Sequence, residues 1–253
     1  MINRGFYTLF YKETLRFYKV ALQTVLAPII TTLLYFMVFS HVLQDRVMVF
    51  EGISYTSFLI PGLVMMTIIQ NAFANSSSSL IQSKVTGNIV FVLLTPLSYV
   101  EFYLAFMLAA VVRGLVVGIG VFLVAICFVP VPVHSFMFLL AFAVLGSAVL
   151  GTLGIIAGIW AEKFDQLAGF QNFVIMPLSF LSGVFYSIQS LPAFWQVVSH
   201  LNPFFYMIDG FRYGFFGVSD TSPWISLMLI FVAFLGLAQF AIRLLKQGYR
   251  LRH

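Results

Sequence analysis

Long apolar stretches alternate with short polar ones along the chain, and this alternation predicts most of its elements. Six stretches hold almost no charged residues: Leu22–Leu43, Tyr55–Ala74, Tyr99–Val129, Phe136–Trp160, Leu167–Tyr186 and Trp224–Leu245. A helix needs about 20 apolar residues to cross the roughly 30 Å hydrocarbon core of a membrane. We therefore predict an all-α membrane protein with six transmembrane helices in one domain, residues 1–253.

Glycines four residues apart recur in two of these stretches, as Gly114 with Gly118 and Gly154 with Gly158. Small residues at this spacing lie on one face of a helix and let a neighbouring backbone approach closely. We expect close helix packing at these positions rather than a binding site.

Residues 1–20 have an apolar face and a basic face at helical periodicity. The apolar face carries Phe6, Phe10 and Phe17, and the basic face carries Arg4, Lys12 and Lys19. Such a pattern is typical of an amphipathic helix that lies at the membrane surface, with its cations towards anionic lipid. We predict an interfacial helix on the cytoplasmic side, and a solvated helical tail is the alternative.

Residues 75–98 interrupt the apolar pattern. The segment begins with polar residues that include Ser76–Ser79, and its apolar run Ile89–Leu94 is too short to span a membrane. We predict a cytoplasmic loop that contains one short apolar helix. An exposed apolar helix favours association with a partner protein, although a helix folded back onto the bundle would fit the same pattern.

Residues 187–212 are rich in aromatic side chains but contain two prolines, Pro192 and Pro203. The longest proline-free interval, Ala193–Asn202, would extend about 15 Å as a helix, half of the hydrocarbon core. We predict a re-entrant segment of short helices on the outer side that dips into the membrane without crossing it. Aromatic residues in and beside it are candidates to line a transport pathway: Phe185, Tyr186, Phe194, Trp195, Phe204 and Phe205.

The composition fits this membrane architecture. Only 8% of the 253 residues are charged and 61% are hydrophobic, which excludes an ordinary soluble domain. Residues 1–20 and 243–253 together carry seven net positive charges, and the rest carries two net negative ones, which gives the net charge of +5. Positive charge at both ends predicts cytoplasmic termini. It does not indicate binding to nucleic acid.

Arg113 lies near the middle of the third apolar stretch, where a charged side chain is costly and faces protein or water. Two interpretations remain open. Arg113 contacts an anionic cargo or lipid headgroup in a pathway, or a carbonyl or amide of the fourth or fifth span holds it. Near the end of the chain, Asp209 and Arg212 are three residues apart and can pair with each other if their segment is helical.

The sequence lacks the motifs of an enzyme. It contains no Gly-Lys dipeptide and therefore no phosphate-binding loop, and no pair of carboxylates stands at a plausible catalytic spacing. His41, His134 and His200 fall on the predicted outer side, where scattered histidines are commoner than a metal site. The near absence of acidic residues from the spans also disfavours ion-coupled secondary transport.

Two motifs give the chain a family resemblance. The first comprises Ser182-Gly183-Val184-Phe185-Tyr186, Leu191-Pro192, Asn202-Pro203 and Asp209-Gly210-Phe211-Arg212, and the second is Leu93-Leu94-Thr95-Pro96-Leu97-Ser98. Together with the length and the predicted spans, they resemble the signature of ABC type-2 transporter permeases. These are membrane subunits of exporters for polysaccharides, lipids and drugs.

The resemblance implies the permease half of an ATP-driven exporter in a bacterial inner membrane. No cofactor is expected in this chain, because ATP and magnesium would bind a separate ABC ATPase, and two copies of the permease would form the pore among membrane lipids. In the family the 75–98 region forms a coupling helix that docks on the ATPase. The candidate coupling residues are Lys84, Asn88, Ile89, Phe91 and Leu94.

The resemblance does not identify the cargo, which is a lipid, a glycan or a hydrophobic drug-like molecule. Two other functional classes stay open at this point. One is a secondary transporter, and the other is a membrane scaffold or sensor subunit that transports nothing.

Overall fold

The computed structural model of the protein describes residues 4–43 and 52–250, with the side chains of 4–39 and 52–250. These residues are mostly helical. In chain order the helices are α1 (Arg4–Tyr18), α2 (Ala21–Leu43), α3 (Tyr55–Val85), α4 (Ile89–Leu93), α5 (Tyr99–Ala125), α6 (Phe136–Trp160), α7 (Phe164–Phe170), α8 (Met176–Phe180), α9 (Ala193–His200), α10 (Pro203–Phe216) and α11 (Pro223–Gln247). A π-helical turn, Gln171–Ile175, joins α7 to α8, and a 3₁₀ turn, Ile188–Ser190, precedes α9.

The all-α membrane fold is confirmed. Among the described residues, five helices are long and apolar enough to cross a membrane, namely α2, α3, α5, α6 and α11. The predicted fifth span, Leu167–Tyr186, consists of α7, the π-helical turn and α8 in succession, and this helical run ends at Phe180, before the predicted end of the span. The predicted count of six spans is therefore not confirmed.

Helix α3 lies at the centre of the bundle, and α5 and α6 pack along it. Its apolar side chains are almost completely buried, from Phe58 at one end to Ile81 near the other. Glycines of α6 make this packing close: a Cβ atom at Gly154 would lie 2.5 Å from the carbonyl oxygen of Phe73. The glycine pairs thus have the packing role that their spacing predicts.

The predicted loop at 75–98 is shorter than expected, because α3 continues through the serine run to Val85. Ser76, Ser77 and Ser79 are buried in the bundle, and the hydroxyl of Ser77 donates a hydrogen bond to the Phe73 carbonyl oxygen at 2.8 Å. Small hydroxyl side chains fit between closely packed helices, and each can donate its hydrogen bond to a backbone carbonyl oxygen of the preceding helical turn. Gly87, with a φ of +73°, then turns the chain towards α4.

Residues 187–212 contain short helices, as predicted. The eight-residue α9 is far too short to span, and α10 continues to Phe216, four residues beyond the predicted end of the segment. Asn202 separates the two helices and caps α10, because its Oδ1 accepts a hydrogen bond from the Phe204 amide at 3.0 Å. We call residues 182–212 the aromatic segment. It packs on the Tyr55 end of α3 and therefore lies at the opposite end of the bundle from α4.

Candidate functional site

The short helix α4 presents an apolar face at one end of the bundle. Ile89 is only 5% exposed and anchors α4 in a cluster with Phe6 and Leu80. Phe91 and Leu94, in contrast, are 71% and 77% exposed. Large apolar side chains this exposed on a helix fixed from behind are typical of a surface that another protein covers.

Lys84 does not point to that surface. Its Nζ donates hydrogen bonds to the carbonyl oxygens of Ile159 at 2.8 Å and Ala161 at 2.5 Å, at the C-terminal end of α6. A cation at a helix C-terminus satisfies carbonyls that have no partner in the helix and interacts favourably with the helix dipole. The ammonium group is thus engaged inside the chain, and the role of Lys84 in coupling to a partner stays a prediction.

The last turn of α6 receives a second cation from the end of the chain. Arg250 donates a hydrogen bond to the Trp160 carbonyl oxygen at 2.9 Å, and its Nη1 lies 3.4 Å from Oε1 of Glu162. Arg250 is thereby held next to the end of α6, where Lys84 also binds. A displacement of residues 84–98 would thus be felt directly by the end of α6.

Asn88 lies in the wall of a cavity of about 820 Å³ between α1, α3 and residues 88–97. Its lining includes three basic residues, Arg4, Lys12 and Arg16, and no acidic one. The sequence pattern placed Arg4 and Lys12, together with Lys19, on the basic face of an interfacial helix. The structure shows that Arg4 and Lys12 face a cavity closed on one side by α4 and its flanking residues.

A polar network holds α1 on α3. Glu13 is fully buried and accepts a hydrogen bond from the Ser79 hydroxyl at 2.5 Å. Arg16 donates from Nη2 to the backbone oxygen of Asn75 at 2.8 Å and to its Oδ1 at 3.2 Å, and its Nε lies 3.5 Å from the Glu13 carboxylate. The amphipathic helix is therefore fixed to the bundle by buried polar groups, which makes a free solvated tail untenable.

Sequence reasoning missed this network because it treated the serine run as a loop. A signal was present, since Thr67, Asn71, Asn75, Ser79 and Ser83 are spaced four residues apart and therefore form a row that winds around a helix by about 40° per step. All five are less than a tenth exposed in the structure. We call this row the polar stripe of α3.

Arg113 reaches the polar stripe rather than the fourth or fifth span. Its Nη2 donates a hydrogen bond to Oδ1 of Asn71 on α3 at 3.3 Å. The predicted kind of partner, an amide, is correct, but the helix that supplies it is wrong. Nε of Arg113 is buried and has no hydrogen-bond partner among the described residues, so the guanidinium keeps capacity for a further acceptor.

At the opposite end of α3, Asp209 and Arg212 do not form the predicted pair. Asp209 accepts hydrogen bonds from the backbone amides of Asp220 at 2.8 Å and Thr221 at 2.9 Å. Arg212 is 1% exposed, donates to the Gly183 carbonyl oxygen at 2.8 Å and stacks 3.7 Å from the centre of the Phe58 ring. Asp209 instead holds the loop before α11, and Arg212 holds the start of the aromatic segment. These backbone partners lie closer to the two ions than the ions lie to each other.

Asp220 and Gly62 complete this arrangement. The Asp220 carboxylate accepts hydrogen bonds from the Ser187 hydroxyl at 2.6 Å and the Ile188 amide at 3.2 Å. A Cβ atom on Gly62 of α3 would lie 2.8 Å from the Val184 carbonyl oxygen, so only glycine lets the aromatic segment approach this closely. The segment is therefore tied to α3, α10 and the loop before α11.

The aromatic pathway candidates do not form one surface. Phe185, Phe204 and Phe205 are buried, and Tyr186 is partly buried against the same core. Phe194 and Trp195 of α9 are exposed, at 69% and 45%. The proline-bounded α9 thus presents its two aromatic residues outwards, whereas the others pack the segment onto the bundle.

In the described part of the chain, no three His, Cys, Asp or Glu residues are grouped so that they could hold a metal ion. His134 packs edge-on against Tyr213, and His200 against Phe205. The side chain of His41 lies outside the described residues. The two described histidines are thus packing residues of separate contacts.

Comparisons with known proteins agree with this architecture. The sequence matches the family described as ABC-2 type transporter over residues 4–216. It is 41% identical over 224 residues to the inner membrane transport permease YadH of Escherichia coli K12, which covers 88% of this chain and 87% of that protein. It is also 26% identical over 195 residues to nodulation protein J of Rhizobium leguminosarum bv. trifolii, covering 77% and 74% of the two chains.

The match reaches from α1 through the cavity and the polar stripe to the end of α10, so it includes both ends of the bundle described above. YadH, an inner membrane transport permease, matches over most of the length of both proteins. The described helices, apolar and long enough to cross a membrane, fit the same location. The chain belongs to the ABC-2 type transporter family and is the membrane permease subunit of a transporter.

Proposed function

We propose that this permease exports its cargo by using ATP hydrolysis on a separate ABC ATPase subunit, which docks on the exposed face of α4. The observation that carries the proposal is the difference in exposure along α4 and its C-cap, since Ile89 is buried whereas Phe91 and the C-cap residue Leu94 are exposed. Membership in the family implies such a partner. A groove on the ATPase that accepts two apolar side chains would bury this face.

Movement of the docked partner has a direct route into the bundle. Residues 86–88 connect α4 to α3, and Lys84 at the end of α3 is bonded to the end of α6. The apolar side chains of α4 also belong to the same cluster as those of α1. A rigid displacement of α4 would therefore shift α1, α3 and α6 together, which is what alternating access requires.

The proposal also includes topology, copy number and catalysis. Both termini face the cytoplasm, so that α4 meets the ATPase and the aromatic segment lies outside. Two copies of the chain form the transporter among membrane lipids. The chain itself catalyses no reaction. The spanning helices α2, α3, α5, α6 and α11 contain a single acidic residue, Glu101 at the start of α5. This scarcity supports ATP-driven rather than ion-coupled transport.

The double substitution Phe91→Asp with Leu94→Asp tests the docking role. We expect the variant to reach the membrane and to lose the ATPase in a pull-down from detergent extract, because two carboxylates cannot enter an apolar groove without a large desolvation cost. Phe194→Asp, which changes an equally exposed aromatic residue at the opposite end, is the matched control and should keep the ATPase bound. Retention of the ATPase by the double variant at wild-type yield would refute the proposal.

A further inference from the structure

The cavity between α1, α3 and residues 88–97 has the chemical character of a binding site. Its basic residues Arg4, Lys12 and Arg16 come from α1, and no carboxylate belongs to its lining. Glu13, which is not part of the lining, lies 3.6 Å from the Lys12 ammonium and 3.5 Å from Nε of Arg16. Lys12 and Arg16 against this one carboxylate leave a net positive charge beside the cavity, which attracts an anion.

The same cavity has two kinds of wall. On the α3 side it presents hydroxyl and amide groups of Ser79, Gln82 and Ser83, and on the other side it presents Val92 and Leu97. A small free anion would use only the polar side, and an apolar peptide only the other. A molecule with an anionic head and a hydrocarbon chain complements both sides, and its chain would bury apolar surface on entering.

The Arg16 guanidinium is the partly buried cationic group that an anion in the cavity would meet. Arg16 lines the cavity, whereas Asn75 is not part of the lining. Nε of Arg16 has no hydrogen-bond partner among the described residues and lies 3.5 Å from the Glu13 carboxylate. Oxygen atoms of an entering anion would add charge-assisted hydrogen bonds to this guanidinium.

The polar stripe of α3 leads from this cavity into the bundle. Ser79 and Ser83 line the cavity, and Thr67 and Asn71 line a second one of about 270 Å³ between α2 and α3. Asn75 lies along the stripe between these two pairs of residues, and its Oδ1 accepts a hydrogen bond from Arg16. Beyond Asn75, Asn71 accepts the hydrogen bond of Arg113, so a second guanidinium lies further along the stripe.

We propose that the cavity binds the anionic headgroup of an amphiphile, with phosphate-type oxygens on Lys12 and Arg16 and the hydrocarbon chain along Val92 and Leu97. The polar stripe then leads the headgroup past Asn75 to Arg113 while the chain stays in apolar surroundings. This inference rests on the proposed transport function and assigns its cargo to anionic amphiphiles. Phe91 of α4 lines the cavity and also belongs to the docking face, so a molecule in the cavity would lie next to that face.

Photolabelling of the purified full-length permease tests the site without ATP or ATPase. The probe is a phosphatidic acid with a photoreactive acyl chain, and a phosphatidylcholine with the same chain is the zwitterionic control. We expect the anionic probe to label peptides of α1 and residues 88–97. Lys12→Gln should weaken this labelling about fivefold, the effect of one cation near an anionic headgroup, and Arg16→Gln should weaken it at least as much.

The matched control is Arg243→Gln, which removes an exposed cation of α11 outside the cavity lining and should leave labelling unchanged. Lys12→Gln keeps the hydrogen bonds between Arg16 and Asn75, so it remains informative if Arg16→Gln fails to fold. Equal labelling by both lipids, or an effect of Arg243→Gln as large as that of Lys12→Gln, would overturn the proposal.

Two further outcomes would also overturn it. Complete displacement of the lipid by millimolar inorganic phosphate would mean that the site takes a free anion rather than an amphiphile. Labelling without headgroup preference that disappears when the ATPase binds would assign the cavity to that protein partner. Failure of lipid labelling together with normal ATPase pull-down would leave the proposed function standing, so the two ideas fail separately.

Discussion

The two ends of α3 differ in how the chain uses its charged groups. At the Phe58 end, Arg212, Asp209 and Asp220 are bonded to backbone groups of the aromatic segment and its flanking loop. At the Lys84 end, about 39 Å further along the helix, Phe91 of α4 and the adjacent Leu94 are exposed beside an open, basic cavity.

This difference indicates which end depends on other molecules. A segment whose buried ions all have partners within the chain holds its shape alone, since an unpaired buried charge would be costly. Both ends carry exposed apolar side chains and one buried guanidinium Nε without a hydrogen-bond partner among the described residues, so the open, basic cavity is the feature that sets the Lys84 end apart. We therefore interpret the aromatic segment as a fixed cap and the α4 end as the place where partner and cargo act.

The largest effect is expected from Arg212→Ala. The substitution removes the hydrogen bond to Gly183 and the stacking on Phe58, and leaves the buried Asp209 without a nearby cation. We expect the free energy of unfolding to fall by about 3 kcal/mol, measured as loss of the monodisperse species of the detergent-purified protein on heating. Arg243→Ala at an exposed position is the control. Equal thermal stability of the two variants would show that the aromatic segment is not held by Arg212.

A smaller effect is expected from Lys84→Met, which keeps the length of the side chain and removes its charge. The carbonyls at the end of α6 lose a charged donor but retain Arg250, so we expect a loss of about 1–2 kcal/mol in the same heating experiment. Lys163→Met, at an exposed position near the end of α6, should change nothing. If Lys84→Met has wild-type stability and yet abolishes ATPase binding, Lys84 contacts the partner as first predicted, and the α6 contact is dispensable.

The smallest effect on stability, none at all, is expected from single cysteine substitutions. These cysteines report which end of the bundle faces the outside of the cell. In a Cys127→Ser background, Val197→Cys on α9 should react with a membrane-impermeant maleimide added to intact cells. Phe91→Cys should react only after the cells are opened. Both positions are exposed in the structure. Reaction of Phe91→Cys in intact cells would reverse the orientation and remove the docking proposal.

Local patterns in the sequence were sufficient for the elements that depend on near neighbours. The bounds of α6, Phe136–Trp160, agree with the predicted span, and α4 agrees with the predicted short helix to within one residue. Prolines and asparagine gave the short helices α9 and α10. In each case hydrophobicity, length or a breaker residue decides the outcome, and these are properties of the segment itself.

Partners of buried charges could not be predicted in the same way. Asp209 and Arg212 satisfy the spacing rule for an ion pair within a helix, yet each bonds to backbone groups that the fold brings from residues 183 and 220–221. The sequence pattern indicated that Lys84 is a surface cation of a loop. It lies at the end of α3, and its ammonium group bonds to carbonyl oxygens at the end of α6, more than 70 residues away. Only the packing of distant segments creates these contacts.

The sequence by itself determined that the chain is a helical membrane protein, that it breaks near Pro192 and Pro203, and that its motifs belong to the ABC-2 type transporters. The tertiary structure decided that the serine run is buried helix, that α1 is fixed by Glu13 and Arg16, and that Arg113 bonds to Asn71. The physical reason is the range of the forces. Hydrophobic length acts along a segment, whereas the cost of burying a polar group depends on which partner the folded chain places within about 3 Å of it.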